Sequence, residues 1–122
     1  MKTGERIKPL FWLGTSLKQV RSFPVPVKET FGYALYLAQK GDKHRYAKPL
    51  KGFGGSAVLE VVADHDGDAY RAVYTVKFAG AVYVLHAFQK KSKKGIATPR
   101  HVIDLIQDRM QQAARHDAER KR

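Results

Sequence analysis

Between Ala57 and Gln89 the chain reads as three extended segments, 57–65, 68–78 and 81–89, parted only by Asp66-Gly67 and Ala79-Gly80. Each break is short enough for a tight hairpin, so the spacing predicts an antiparallel three-strand meander. Two-residue loops fix the register by arithmetic: His65 pairs with Asp68, and Phe78 with Ala81. One face then carries Leu59, Val61, Tyr70, Ala72, Tyr74, Val76, Phe78, Tyr83, Leu85 and Ala87, apolar enough to bury under helices. The other carries Val58, Glu60, Val62, Arg71, Val73, Thr75, Lys77, Val82, Val84, His86 and Phe88, with Lys90 just past the strand. In this register Arg71 lies between Val62 and Phe88, and Glu60, Val73 and His86 form a line across the three strands.

The flanking segments supply the cover. Residues 8–13 are short and aromatic and read as a first strand ending at Gly14. Thr15 or Ser16 is placed to cap a short helix with Leu17, Val20 and Phe23, which Pro24 and Pro26 interrupt. Val27, Phe31, Ala34, Leu35 and Ala38 then recur at helical spacing, with Gly41 as the C-terminal cap. Residues 41–56 are rich in lysine and glycine and read as a mobile basic loop. After the basic turn 90–95, Pro99 fits the first position of a last helix carrying Val102, Ile103, Ile106 and Met110. The expected fold is α+β, one domain over residues 1–122 with a helical hairpin and a C-terminal helix packed on an antiparallel sheet. Residues 1–7 and 116–122 are expected to be flexible.

Charge narrows the partners. Twenty-three Lys and Arg against eleven Asp and Glu give +12 at pH 7, so the chain suits an acidic partner. No apolar run approaches the roughly 18 residues that span a bilayer, and the expected location is the cytoplasm. With no Cys, thiolate metal sites and cysteine nucleophiles are excluded. Asp64-His-Asp66-Gly-Asp68 has Gly67 at the fourth position of a calcium loop rather than the sixth, and Gly52-Phe-Gly-Gly55 lacks the Gly-Lys-Ser/Thr ending of a phosphate loop. The five histidines do not pair at metal-ligand spacing on a helix, so no metal or other cofactor is expected.

The ionisable face has two readings at each position. Arg71 either pairs with Glu60 or offers its fork to a phosphate. His86 is either a packed histidine or, with an ordinary pKa of about 6.5, a proton-transfer group near neutral pH. Phe88 beside Arg and Lys is either core or a surface on which a base stacks. The run from Lys90 to Lys94 is either a solvated turn or a phosphate clamp ahead of a helix N-terminus.

The order of elements, together with Leu50-Lys-Gly-Phe-Gly at 50–54, Tyr70-Arg-Ala-Val-Tyr74, Leu85-His-Ala-Phe-Gln-Lys-Lys91 and Thr98-Pro99, resembles the RelE/HigB-type toxins of type II toxin–antitoxin modules, in their phage-derived branch. The resemblance spans about Trp12 to Met110. It implies a small RelE-like fold and ribosome-dependent cleavage of mRNA that inhibits translation. It also implies a cognate antitoxin, a helix-turn-helix DNA-binding protein, as partner. Arg71 matches the family's middle-strand arginine, and Lys90 or Lys91 its basic residue at the end of the last strand. Val58 and Glu60 stand where several members carry lysines. The catalytic set expected on this basis is Arg71, His86, Lys90, Lys91 and Glu60, with Lys48, Lys51, Lys77, Phe88, Lys93, Lys94 and Arg100 contacting RNA. RNA brings its own 2′-hydroxyl nucleophile, so the expected chemistry needs no metal. A ParE-like toxin that poisons DNA gyrase, or a non-catalytic basic protein that binds nucleic acid or the ribosome, are the alternatives.

Overall fold

The computed structural model describes residues 7–90 and 98–121. Within them the order is β1 (Leu10–Trp12), α1 (Ser16–Arg21), α2 (Val25–Gln39), β2 (Ala47–Pro49), β3 (Val58–His65), β4 (Asp68–Thr75), β5 (Val82–Lys90) and α3 (Arg100–Arg120). The expected α+β class is what the chain adopts. The sheet has five strands in the order β1-β5-β4-β3-β2, and it is mixed, because β1 runs parallel to β5. The all-antiparallel sheet expected from the meander therefore needs correcting at its edge, where α1 and α2 carry the chain away from β1 before the meander begins.

Local chemistry explains most of the boundaries. Asp66 and Gly67 both take positive φ, 50° and 86°, the type I′ turn whose twist suits two antiparallel strands. Its ladder starts at His65↔Asp68, the register expected from the two-residue loop. Pro24 and Pro26 sit at the cap and in the first turn of α2, where a missing N–H costs nothing. The helix ends in a Schellman arrangement: Gly41, at φ 90°, donates its N–H to Ala38 and Asp42 donates to Leu37. Thr15 makes no side-chain cap to α1; Ser16 is instead buried, its Oγ 3.5 Å from the carbonyl of Val84.

The second hairpin departs from the sequence arithmetic. Val73 pairs with His86, but Tyr74 pairs with Val84, so Leu85 is an extra residue on β5, a β-bulge. The bulge exchanges faces beyond it. Val82 and Val84, expected on the ionisable face, pack with α1 and α2 over Leu59, Val61, Tyr74 and Ala87. Tyr83 and Leu85, expected on that core face, lie on the other side with Val58, Val73 and the Val102, Ile106 and Ala113 stripe of α3. The residues between Thr75 and Val82 lie outside the ladder, and the turn at Ala79-Gly80 closes through Ala81 and Phe78. Both sheet faces are thus covered in part, and Val82, Tyr83, Val84 and Leu85 have no exposure at all.

Two further expectations change. The basic loop 41–56 contains β2, whose Ala47, Lys48 and Pro49 pair with Val61, Glu60 and Leu59. At the other end α3 runs to Arg120, through residues expected to be flexible. His116 shares a 2.8 Å hydrogen bond with the Tyr83 hydroxyl and sits edge-on to Phe11. Asp117 is 2 % exposed and holds Lys121 at 3.1 Å. These contacts fasten the end of α3 to β1 and β5.

A test of this packing lies at Gly14. It adopts φ 54°, and a Cβ added there would collide with the guanidinium of Arg109 from α3. Gly14→Ala is expected to lower stability by roughly 1–3 kcal/mol, the cost of a left-handed non-glycine residue, with the collision added. Thermal melts of Gly14→Ala, Arg109→Ala and the double variant should show the two losses to be less than additive. Additive losses would mean that the two residues do not meet.

Candidate functional site

The β3-β4 hairpin and the half of β5 before the bulge is reached from β4 keep the expected register. Arg71 therefore faces Val62 on one side and Phe88 on the other, and Glu60, Val73 and His86 stand in one row. Lys48 on β2 extends that row, opposite Glu60. Lys90, paired with Ala69, is diagonal to Arg71 on the same face, a spacing of roughly 7–8 Å between backbones.

Arg71 and Glu60 form the centre. The Nη1 of Arg71 donates to Oε2 of Glu60 at 2.6 Å, with side-chain exposures of 21 % and 6 %. A pair this short and this sheltered fixes the guanidinium in one orientation. Nη1 is used by the carboxylate, while Nε is buried with no hydrogen-bond partner. Burial and the Arg71 charge hold the Lys90 ammonium below the ordinary lysine range, and Glu60 partly offsets them. Arg71, Glu60 and Lys90 consequently act as one electrostatic group.

His86 takes the packed reading. Its ring stacks on Phe88, with centroids 5.2 Å apart and planes at 22°. Arg109 donates Nη1 to the Leu85 carbonyl at 2.8 Å and lies 3.3 Å from His86 Nδ1. Arginine has no acceptor, so His86 accepts through Nδ1 and keeps its proton on Nε2. Burial first, and the Arg109 charge second, push its pKa down to about 4. At neutral pH it is an uncharged ring with no spare proton to give as an acid.

Of the other expected contacts, Lys48 and Lys51 are exposed, the latter in the turn after β2. Lys77 is exposed two residues beyond β4, with its ammonium 5.9 Å from the Phe78 ring. Arg100 opens α3 and pairs with Asp104 at 3.1 Å on the surface. The structure brings Lys48 and Phe88 to the Arg71 face and leaves Lys51, Lys77 and Arg100 outside its central cluster. Lys91, Lys93 and Lys94 lie outside the described residues. Among the described residues no group of three His, Asp or Glu side chains is placed to hold a metal ion, and no helix is long and apolar enough to cross a membrane.

Arg109 escaped the sequence reading, although a signal was present. Val102, Ile106 and Ala113 form the buried stripe of α3, and Arg109 falls between the last two at helical spacing. A charged residue inside an apolar stripe must find partners, and this one finds the carbonyl exposed by the bulge together with His86.

No curated protein matches the chain. The family described as Phage derived protein Gp49-like (DUF891) matches residues 18–111, which run from α1 into the second half of α3 and include Glu60, Arg71, His86 and Lys90. The match covers well over half of the sequence, and the chain belongs to this Gp49-like family, a toxin-like family related to the RelE toxins.

Proposed function

We propose that the protein is the toxin of a type II toxin–antitoxin module of the HigB-like branch, and that it cleaves mRNA on the ribosome from the Arg71 face. The observation that carries this reading is the Arg71 guanidinium, one-fifth exposed and held rigid by Glu60 through Nη1, with Lys90 beside it. A preorganised donor with unused N–H groups, backed by a second cation, is what a phosphate needs as its charge grows. The mRNA supplies its 2′-oxygen as nucleophile. That oxygen attacks the adjacent phosphorus in line and passes its proton to water. The bond to the 5′ oxygen breaks, leaving a cyclic 2′,3′-phosphate. On this reading Arg71 steadies the phosphoryl oxygens and Lys90 protonates the departing 5′ oxygen. Glu60 orients Arg71, and Phe88 stacked on His86 offers a ring to a neighbouring base. The protein would act in the cytoplasm, silenced by a helix-turn-helix antitoxin.

One observation favours a binding role instead. The Glu60 carboxylate already neutralises Arg71, and His86 is a poor acid at neutral pH, so the face could serve only to hold a partner such as gyrase or a ribosomal surface. Primer-extension mapping of mRNA on programmed ribosomes separates the two. Arg71→Lys keeps the charge facing Glu60 but removes the fork, and is expected to lower cleavage by roughly 10²-fold while the fold is retained. Equal cleavage by wild type and Arg71→Lys would overturn the assignment. Intact mRNA with arrested gyrase supercoiling would select the binding role. Arg71→Ala is expected to lose stability as well, on the order of 3–5 kcal/mol, because Glu60 is left buried and unpaired.

His86 gives a pH test. Its folded pKa of about 4 lies below the unfolded value near 6.5, so between these limits the unfolded chain binds the extra proton. This contribution to stability is complete above pH 6.5 and is lost as pH falls toward 4. Melts at pH 7.5 and pH 5 should show a smaller acid loss for His86→Gln than for wild type. Cleavage by His86→Gln should stay within a few-fold of wild type across neutral pH; a loss of 10² or more would restore His86 as a proton donor or acceptor.

A further inference from the structure

Three of the five large apolar side chains exposed on the described surface are tyrosines within one short stretch: Tyr33, Tyr36 and Tyr46, at 56 %, 45 % and 57 %. Tyr33 and Tyr46 are joined by His44. Its ring lies 5.7 Å from that of Tyr33 and 5.3 Å from that of Tyr46. His44 is buried and accepts the Tyr46 backbone N–H through Nδ1 at 3.0 Å, which fixes the ring between its neighbours. Cations lie over the outer rings: Lys40 is 5.3 Å from the Tyr36 centroid, and the Arg45 guanidinium 5.4 Å from that of Tyr46. From Lys40 to Lys48 the chain has four basic residues and one acid.

This strip begins on α2, on the far side of the sheet from Arg71, and meets the Arg71 face around the β2 edge. Tyr46 and Lys48 line an open groove at the edge of the sheet together with Thr30 of α2 and Val62, Ala63 and Asp64 of β3. Val62 is the residue that faces Arg71 across the ladder, and Lys48 the one that faces Glu60. A strand leaving the Arg71 face over β2 would meet Lys48, then Tyr46 and Tyr33.

We propose that the Tyr33-His44-Tyr46 strip is a stacking platform for single-stranded RNA flanking the phosphate held at Arg71. The proposal rests on the nuclease reading for where the RNA starts, and on the strip's own chemistry for what binds it. The half-exposed rings of Tyr33 and Tyr46, held apart by the buried His44 and flanked by Lys and Arg, match bases and phosphates. An acidic peptide would engage the cations and leave the rings unused. The rings are held by contacts already present, so little ordering is required on binding.

The test measures affinity for a short single-stranded RNA blocked against cleavage by 2′-O-methylation, by fluorescence anisotropy. Tyr46→Ala and Tyr33→Ala should each weaken binding by roughly tenfold or more, with Tyr46→Phe close to wild type and melting temperatures unchanged. Arg45→Gln should flatten the salt dependence. Unchanged RNA affinity in both alanine variants would overturn the platform, as would loss of an acidic peptide's binding in those variants with RNA affinity intact. The two readings fail separately. Tyrosine-dependent RNA binding by a protein that cleaves nothing would remove the nuclease and keep the strip. Full cleavage with tyrosine-independent RNA binding would do the reverse.

Discussion

The extra residue at Leu85 decides how this small sheet can be covered from both sides. Without it β5 would alternate strictly, and Tyr83 and Leu85 would join Tyr74 beneath α1 and α2, leaving α3 nothing large to pack on. With it, Val82 and Val84 turn toward α1 and α2, and Tyr83 and Leu85 turn toward α3. A bulge leaves a backbone carbonyl out of the ladder, and Arg109 takes up that of Leu85. The same guanidinium also approaches His86 Nδ1 and the backbone at Gly14. One irregularity in a strand therefore links the placement of α3, the protonation of His86 and the need for glycine at position 14.

Burial of both faces sets the character of the ionisable cluster. Were Glu60 open to water, its pair with Arg71 would be a surface ion pair of little consequence. Here Glu60 is 5 % exposed, paired across the ladder with Val73, so its charge has to be met within the protein. Arg71 meets it at 2.6 Å. The guanidinium is held in place by the carboxylate, and the carboxylate is tolerated in the sheet because of the guanidinium. Stability and the geometry of the face cannot be altered independently at these two positions.

The legibility of the site follows from where the bulge falls. The β3-β4 pairing was readable because Asp66-Gly67 fixes a type I′ turn, and the β4-β5 register counted from Phe78 and Ala81 holds from Val73↔His86 to Ala69↔Lys90, on the side of the bulge away from the second turn. Arg71, Glu60, Phe88 and Lys90 were placed together on that basis. Beyond Val73 the count slipped by one, since a bulge in Val82-Tyr83-Val84-Leu85, apolar at every position, leaves no gap in the hydrophobic pattern to betray it. Strand β2 was hidden for a different reason. Ala47-Lys48-Pro49 has no alternation and contains a proline, and only pairing with Glu60 and its neighbours makes it a strand. Residues 116–120 looked solvated because their composition is polar, yet Asp117 is buried and His116 is half-buried against Tyr83 and Phe11, partners far away in sequence.

Charge counting sharpens what the cluster asks of its surroundings. Glu60 cancels one of the positive charges that Arg71, Lys90 and, across the ladder, Lys48 bring to this face. On the proposed reading the transition state is a phosphorane with more negative charge than the bound diester, and stabilisation has to come from donors that gain strength as that charge develops. Arg71 can supply some through its unused N–H groups, since Glu60 engages Nη1 alone among the contacts that the guanidinium makes with side chains here. The remainder calls for further cations within reach. The sequence continues directly from Lys90 into Lys91, Lys93 and Lys94, with no acid before Asp104. On that reading the basic residues that follow Lys90 in sequence would replace the charge that the carboxylate buried on β3 cancels, and the face that uses Glu60 to hold its arginine would recover its excess of positive charge from them.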